Sequence, residues 1–328
     1  MVNQPLIIHD VPNGTRRSPI VFDTPHSGTV VPSHFDYICE PSDFPHLSDL
    51  HVEKFLAGIP ATGSPVLEML IHRACIDLNR SEDELNPAAL RDSWTLPYKL
   101  TPYVQEGFGL FAEYVRHPDK GMVNIFNENL RPDSAEVQNR IVSYHRPYYE
   151  TLQKMLHHAR DEHGFALYCD MHSMRRRFKP EETHLHDVDI VLGDLNGTAC
   201  NPALIDFAAA YFEQTGYKTS RNDPFSGANL LRQFSTPNDG IHCIQIEVVR
   251  DQYMNPVTLE IDAEKMERLQ SVMTGFSSAL RDYALHHAAE FMPETLREKT
   301  LPHASSNALS NASMGTSTPV SAFKDVTP

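Results

Sequence analysis

The stretch SAEVQNRIVSYHRPYYETLQKMLHHARDEHGFALYCD, Ser134 to Asp170, decides the fold. From Ser134 to His163, the residues Val137, Ile141, Tyr144, Tyr148, Leu152, Met155 and Leu156 recur near helical spacing, which predicts a long amphipathic helix kinked by Pro147. After Gly164 the pattern changes. FALYCD, Phe165 to Asp170, is a short apolar run of the kind that fills a buried strand. Upstream, PIVFD (Pro19 to Asp23) runs into the turn-forming string TPHSG, and ACIDL (Ala74 to Leu78) has the same strand-like character. Downstream, DIVLGD (Asp189 to Asp194) and HCIQIEVV (His242 to Val249) also read as strands. Asn201 caps and Pro202 opens a helix that stops at Gly216, and a third helix spans about Leu259 to Glu290. Strands alternating with helices predict a single α/β domain, a mostly parallel mixed sheet flanked by helices. Leu85 to Lys120 holds several Gly and Pro residues and the only Trp, Trp94, without a clear period, and is expected to form a loop or lid. The domain is expected over residues 1–300, and the Ser-, Thr- and Asn-rich segment 301–328 as a disordered tail.

The 328 residues carry a formal charge of −15, with 41% hydrophobic residues. That composition supports a sizeable core and excludes a wholly disordered chain. With no long Lys/Arg run, an acidic chain lacks the basic surface that nucleic acid or an anionic membrane requires, so a small molecule is the expected partner. No apolar stretch is long enough to span a membrane and no leader is evident, so a cytoplasmic location is expected. The five cysteines show no C-x-x-C pair, which argues against a disulfide framework or a thiolate zinc site. The eighteen histidines are the unusual feature.

Each expected strand ends in polar residues. His26 follows the first, Asn79 and Arg80 follow ACID, His172 and Ser173 follow FALYCD, and Glu247 closes the last. Strand carboxyl ends of an open parallel sheet share one edge, where ligands bind. Two imidazoles and one carboxylate are what a catalytic zinc needs, with a further position left for water. His26 and His172 are the imidazole candidates, and Asp49 is the leading carboxylate, with His51 as competitor. Glu247 is placed to act as a general base, or else to pair with Arg250. Arg80 offers a fork for a substrate carboxylate beside Asn79, or else an ion pair with Asp77, Glu82 or Asp83. Arg175 to Arg177 form a locally basic string that suits an anionic substrate, or else a solvated turn. No nucleophile elbow, P-loop or dinucleotide fingerprint is present.

The strings TPHSG (24–28), DLHV (49–52), IDLNR (76–80), YHRPY (144–148), DMHSMR (170–175) and GIHCIQIE (240–247) together resemble the N-formylglutamate amidohydrolases, over roughly residues 18–256. The resemblance implies a hydrolase fold like that of zinc carboxypeptidases and aspartoacylase, in the phosphorylase/hydrolase-like class. It implies one zinc per chain with His26 and His172 as ligands, while Asp49 stays the candidate third ligand read from the residues, with His51 as competitor; such a ligand set also admits other divalent ions. It also implies Asn79 and Arg80 toward a substrate carboxylate; with Glu247 expected as base, Arg175 or Arg232 is expected to take a second carboxylate of an N-acyl amino acid or to steady the oxyanion. The expected reaction is hydrolysis of N-formyl-L-glutamate to formate and glutamate. The alternatives are a related zinc deacylase or peptidase, and a non-catalytic anion-binding module. Two departures stand out. Thr29 occupies the place of the Glu of a His-x-x-Glu motif, and RNDPFSGANLLR (221–232), a segment expected to touch substrate, lacks the usual glycine pair followed by an aromatic.

Overall fold

The computed structural model describes residues 4–176 and 187–300. The expected tail and Arg177 lie outside them. Among the described residues are nine strands: β1 (Leu6–His9), β2 (Ile20–Thr24), β3 (Val66–Met69), β4 (Tyr114–His117), β5 (Gly121–Asn124), β6 (Ala166–Met174), β7 (Ile190–Gly193), β8 (Thr219–Arg221) and β9 (Ile241–Val249). Seven of them form one sheet in the order β1-β3-β2-β6-β9-β7-β8. The central strands β3, β2, β6 and β9 run parallel, β1 is antiparallel to β3, and β7 is antiparallel to β9. The expectation of a mostly parallel mixed sheet in one α/β domain therefore holds.

One strand was misplaced. ACIDL is buried but forms turns, because its amides bond outside any ladder: Cys75 N donates to His72 O at 2.9 Å and Asp77 N to Leu110 O at 2.7 Å. The strand beside β2 is instead Val66–Met69, a short run whose apolar pattern is broken by the half-buried Glu68. The expected lid, Leu85 to Lys120, ends inside an ordered hairpin: it includes β4, which pairs antiparallel with β5 just beyond it. The long helix is interrupted. Ser134–Arg140 and Arg146–His163 are α-helical and Ile141–His145 is a wider π-turn, which fits the missing N–H of Pro147.

The two faces of the sheet differ. Ile20, Phe22, Leu167, Cys169, Met171, Ile244 and Ile246 point to one side, against helices Pro202–Gln214 and Ala263–His286, in an apolar core. Truncating a large member such as Phe212 to Ala is worth about 3–5 kcal/mol. The opposite face starts apolar at Val21, Tyr168 and Cys243 under the helix Arg146–His163, then turns polar. Along it Asp23 lies opposite Asp170, Asp170 opposite Gln245, and His172 opposite Glu247. Since side chains alternate along a strand, these polar residues all emerge on one face near the strand carboxyl ends.

Candidate active site

The turn after β2 delivers His26 to that edge. A side chain at Gly28 would meet the Leu70 carbonyl carbon at 2.5 Å, so only glycine lets the turn pass this close to the end of β3. The Asp49 amide donates to the His26 carbonyl at 3.0 Å, which stitches the second segment to the first. His26, Asp49 and His172 are all buried, and one potential ligand atom from each lies within 4.8 Å of the others. The remaining atoms are tied off. His26 Nε2 is 2.8 Å from Asp77 Oδ1, and His172 Nε2 is 2.8 Å from Asp170 Oδ1. Asp49 Oδ1 accepts from Ser173 Oγ at 3.3 Å and Arg250 Nη2 at 3.4 Å. That leaves His26 Nδ1, which has no hydrogen-bond partner, and His172 Nδ1 facing Asp49 Oδ2 at 3.5 and 3.1 Å. Imidazoles braced by carboxylates on the far nitrogen are the usual setting of a metal-binding histidine.

The charges agree with this arrangement. Burial alone would raise the Asp49 carboxyl, but the hydrogen bond from His172 and the closeness of His26 and Arg73 hold it well below the usual range. Burial opposes protonation of His172, yet Asp170, Asp49 and Glu247 together hold it well above an ordinary imidazole. A dication at the same point would satisfy the same carboxylates. The other buried histidines are spoken for by backbone. His72 receives the Ala74 amide and bonds the Phe44 carbonyl, and His242 receives the Asn201 amide and bonds the Phe291 carbonyl. His51 stands apart from the cluster and bonds the Leu259 carbonyl at 3.2 Å.

Glu247 flanks the cluster on β9. Burial, reinforced by Asp49 and Asp170 against the pull of His172, pushes it up to about 7. Gln245 Nε2 donates to its Oε1 at 2.9 Å and fixes the carboxylate plane. Arg250 pairs with Asp49, so the salt bridge to Glu247 that the sequence allowed does not form. Asn79 is held at both ends: its Oδ1 accepts from the Leu230 amide at 2.9 Å and its Nδ2 lies 3.5 Å from Gln245 Oε1 and 3.2 Å from His172 Nε2.

Above these groups is a cavity of about 330 Å³. Arg80, Arg175 and Arg232 line it, and among the described residues none of them has a carboxylate within ion-pairing distance. The Arg80 alternatives Asp77, Glu82 and Asp83 are taken by other cations, Arg73, Arg146 and Lys99. Among the described residues Arg175 donates only to the carbonyls of Arg116 and His46. Burial, with Arg250 and Arg116 nearby, depresses its guanidinium to about 10. The segment from Pro224 to Ala228 forms another wall, as expected for a substrate-facing loop.

The sequence model of the N-formylglutamate amidohydrolases matches residues 18–254. The chain belongs to that family. It is similar to the N-formylglutamate deformylases of Pseudomonas putida (28% identical, covering 73% of this chain and 82% of that one) and Pseudomonas aeruginosa (25%, 73% and 83%). Among solved structures, the N-formylglutamate amidohydrolase of Ralstonia eutropha JMP134 aligns with a TM-score of 0.78 at 31% identity, covering 85% of this chain and 98% of that one. A gene product of Agrobacterium tumefaciens shares the fold at 15% identity, with a TM-score of 0.57 over 84% of this chain and 96% of that one.

In this N-formylglutamate amidohydrolase family member, sequence reasoning missed the bracing residues Asp77, Asp170 and Gln245, and of the two readings of Glu247 the pair with Arg250 is the one that does not form. Asp77 and Asp170 were in view inside the quoted motifs, but their roles depend on distances between segments far apart in the chain. No helix of the described residues is long and apolar enough to cross a membrane.

Proposed function

We propose that this chain hydrolyses N-formyl-L-glutamate to formate and glutamate with one divalent cation, zinc by preference, on His26, Asp49 and His172. The observation that carries the reading is the convergence of three buried ligand atoms whose opposite atoms are each fixed by Asp77, Asp170 or the Arg250–Ser173 pair. Two imidazole nitrogens and a carboxylate oxygen suit zinc and leave room for water and a carbonyl. Such a cation, when bound, supplies Lewis acidity that makes water acidic enough to ionise near neutral pH. Its position at the carboxyl ends of central parallel strands also favours grouping the fold with the zinc carboxypeptidases.

Glu247 takes the proton of the attacking water and returns it to the amide nitrogen as the C–N bond breaks, so the amine is released neutral and the acyl product leaves as formic acid, which gives its remaining proton to water and becomes formate. Its elevation to about 7 matches a group that must both accept and donate a proton near neutrality. Gln245 keeps one oxygen of that carboxylate engaged and aims the other at the cavity. Two carboxylates on the substrate meet unpaired arginines on the cavity walls: Arg80, beside Asn79, and Arg175, with Arg232 at the rim. The formyl group is small, and the arginines rather than an acyl pocket set the selectivity. Formate release measured over a panel of N-formyl and N-acetyl amino acids tests the reading. N-formylglutamate should be the best substrate, and a preference for an uncharged N-acyl amino acid would contradict it.

A further inference from the structure

Arg80 is buried in the cavity wall and already makes two bonds, from Nε to the Phe108 carbonyl at 3.0 Å and from Nη1 to the Asn79 carbonyl at 3.0 Å. A guanidinium carries five N–H groups, so the Nη2 side and one Nη1 hydrogen remain for a ligand. Its carbon lies 4.4 Å from the centroid of the Tyr103 ring. Tyr103 is nevertheless 49% exposed, so this ring covers a cation instead of filling a core. It stands on the short helix Pro102–Gln105, started by Thr101 Oγ1 accepting from the Val104 amide. The helix is closed by the Phe108 amide donating to the Tyr103 carbonyl at 2.8 Å. The Phe108 carbonyl then returns to Arg80. One loop therefore holds the same arginine twice, by a ring over its face and a carbonyl on its edge.

We propose that Tyr103 is a positioning residue for substrate, its ring fixing the plane of the Arg80 guanidinium so that the free edge of the fork receives one carboxylate of an N-acyl dicarboxylic amino acid. This rests on the reading of the cavity as an N-formylglutamate site. The ring acts in two ways. It removes rotational freedom from a planar donor that must meet a planar acceptor, and it shields the resulting ion pair from water. Both act on substrate binding and neither acts on the proton transfers at Glu247. The hydroxyl has no part in this, so phenylalanine should serve as well.

The test compares the zinc-loaded full chain with Tyr103→Phe and Tyr103→Ala, reading KM and kcat for N-formylglutamate and, separately, calorimetric binding of glutarate as a plain dicarboxylate probe. Tyr103→Phe should stay within about two-fold of the parent throughout. Tyr103→Ala should raise KM and the glutarate Kd by about 5- to 30-fold while kcat changes little. The proposal is overturned if the alanine variant leaves KM and Kd within two-fold, if it lowers kcat alone, or if the phenylalanine variant behaves like alanine. A parent that releases no formate from N-formylglutamate overturns the functional reading instead, and glutarate titration of the same proteins still decides the role of Tyr103.

Discussion

Glu247 is where the chemistry is most exposed to test. Glu247→Gln keeps the shape and the hydrogen bond from Gln245, so metal should bind as before while kcat falls about 10²- to 10⁴-fold, measured by formate release beside metal content. Asp77→Ala and Asp170→Ala each remove a brace from a histidine and should weaken zinc binding about 10- to 100-fold in a chelator competition. The same residues set a pH dependence. Glu247 is raised to about 7 by burial, and His172 is raised by its carboxylates. Groups raised on folding contribute stability that is complete below their unfolded values and is lost as pH rises through the folded ones. Metal-free protein should therefore melt lower at pH 8 than at pH 6, and zinc, which favours the carboxylate and the neutral imidazole, should narrow that gap. A gap unchanged by zinc would place the ion elsewhere. His26, His172 and Glu247 were legible in the sequence because residues at strand carboxyl ends share one edge. The braces were not, because each is a contact between distant segments.

Among the elements, strands whose residues are all buried were readable, down to the four residues of β7, and those with half-exposed positions were not. PIVFD, FALYCD, DIVLGD and HCIQIEVV signal buried strands, whereas β3 carries the half-buried Glu68 and β1 and β8 are edges with half-exposed patterns. ACIDL shows how burial misleads: the segment is buried as a turn because its amides bond to His72 and Leu110. That turn is held by the long helix. His145, at the end of the π-turn, bonds the Arg80 carbonyl at 2.9 Å, and the Tyr149 hydroxyl donates to the Leu78 carbonyl at 2.7 Å while accepting from Asn229 at 2.8 Å. His145 of the YHRPY string and Tyr149 just after it therefore fix the loop bearing Asn79 and Arg80. Tyr149→Phe removes two of these bonds and should cost about 1–3 kcal/mol in a denaturant titration, with a rise in KM larger than any fall in kcat.

Over the whole molecule, a net charge of −15 surrounds a cavity whose arginines Arg80, Arg175 and Arg232 lack carboxylate partners among the described residues. The acidic exterior repels a dianionic substrate at long range and the cavity attracts it at short range. Salt screens the first more than the second, because buried pairs are less accessible to ions. Raising ionic strength from low to physiological should therefore change kcat/KM by only a few-fold. The residues lining the cavity all fall between His26 and Arg250, so a chain ending at residue 300 should keep its kcat/KM. The central claim is that a cation on His26, Asp49 and His172 works with Glu247 to cleave the formyl amide. Its most direct test is formate release from N-formylglutamate by chelator-stripped protein titrated with zinc. Activity should be absent at the start and rise to a break at one equivalent per chain, and full turnover by the stripped protein would contradict the account.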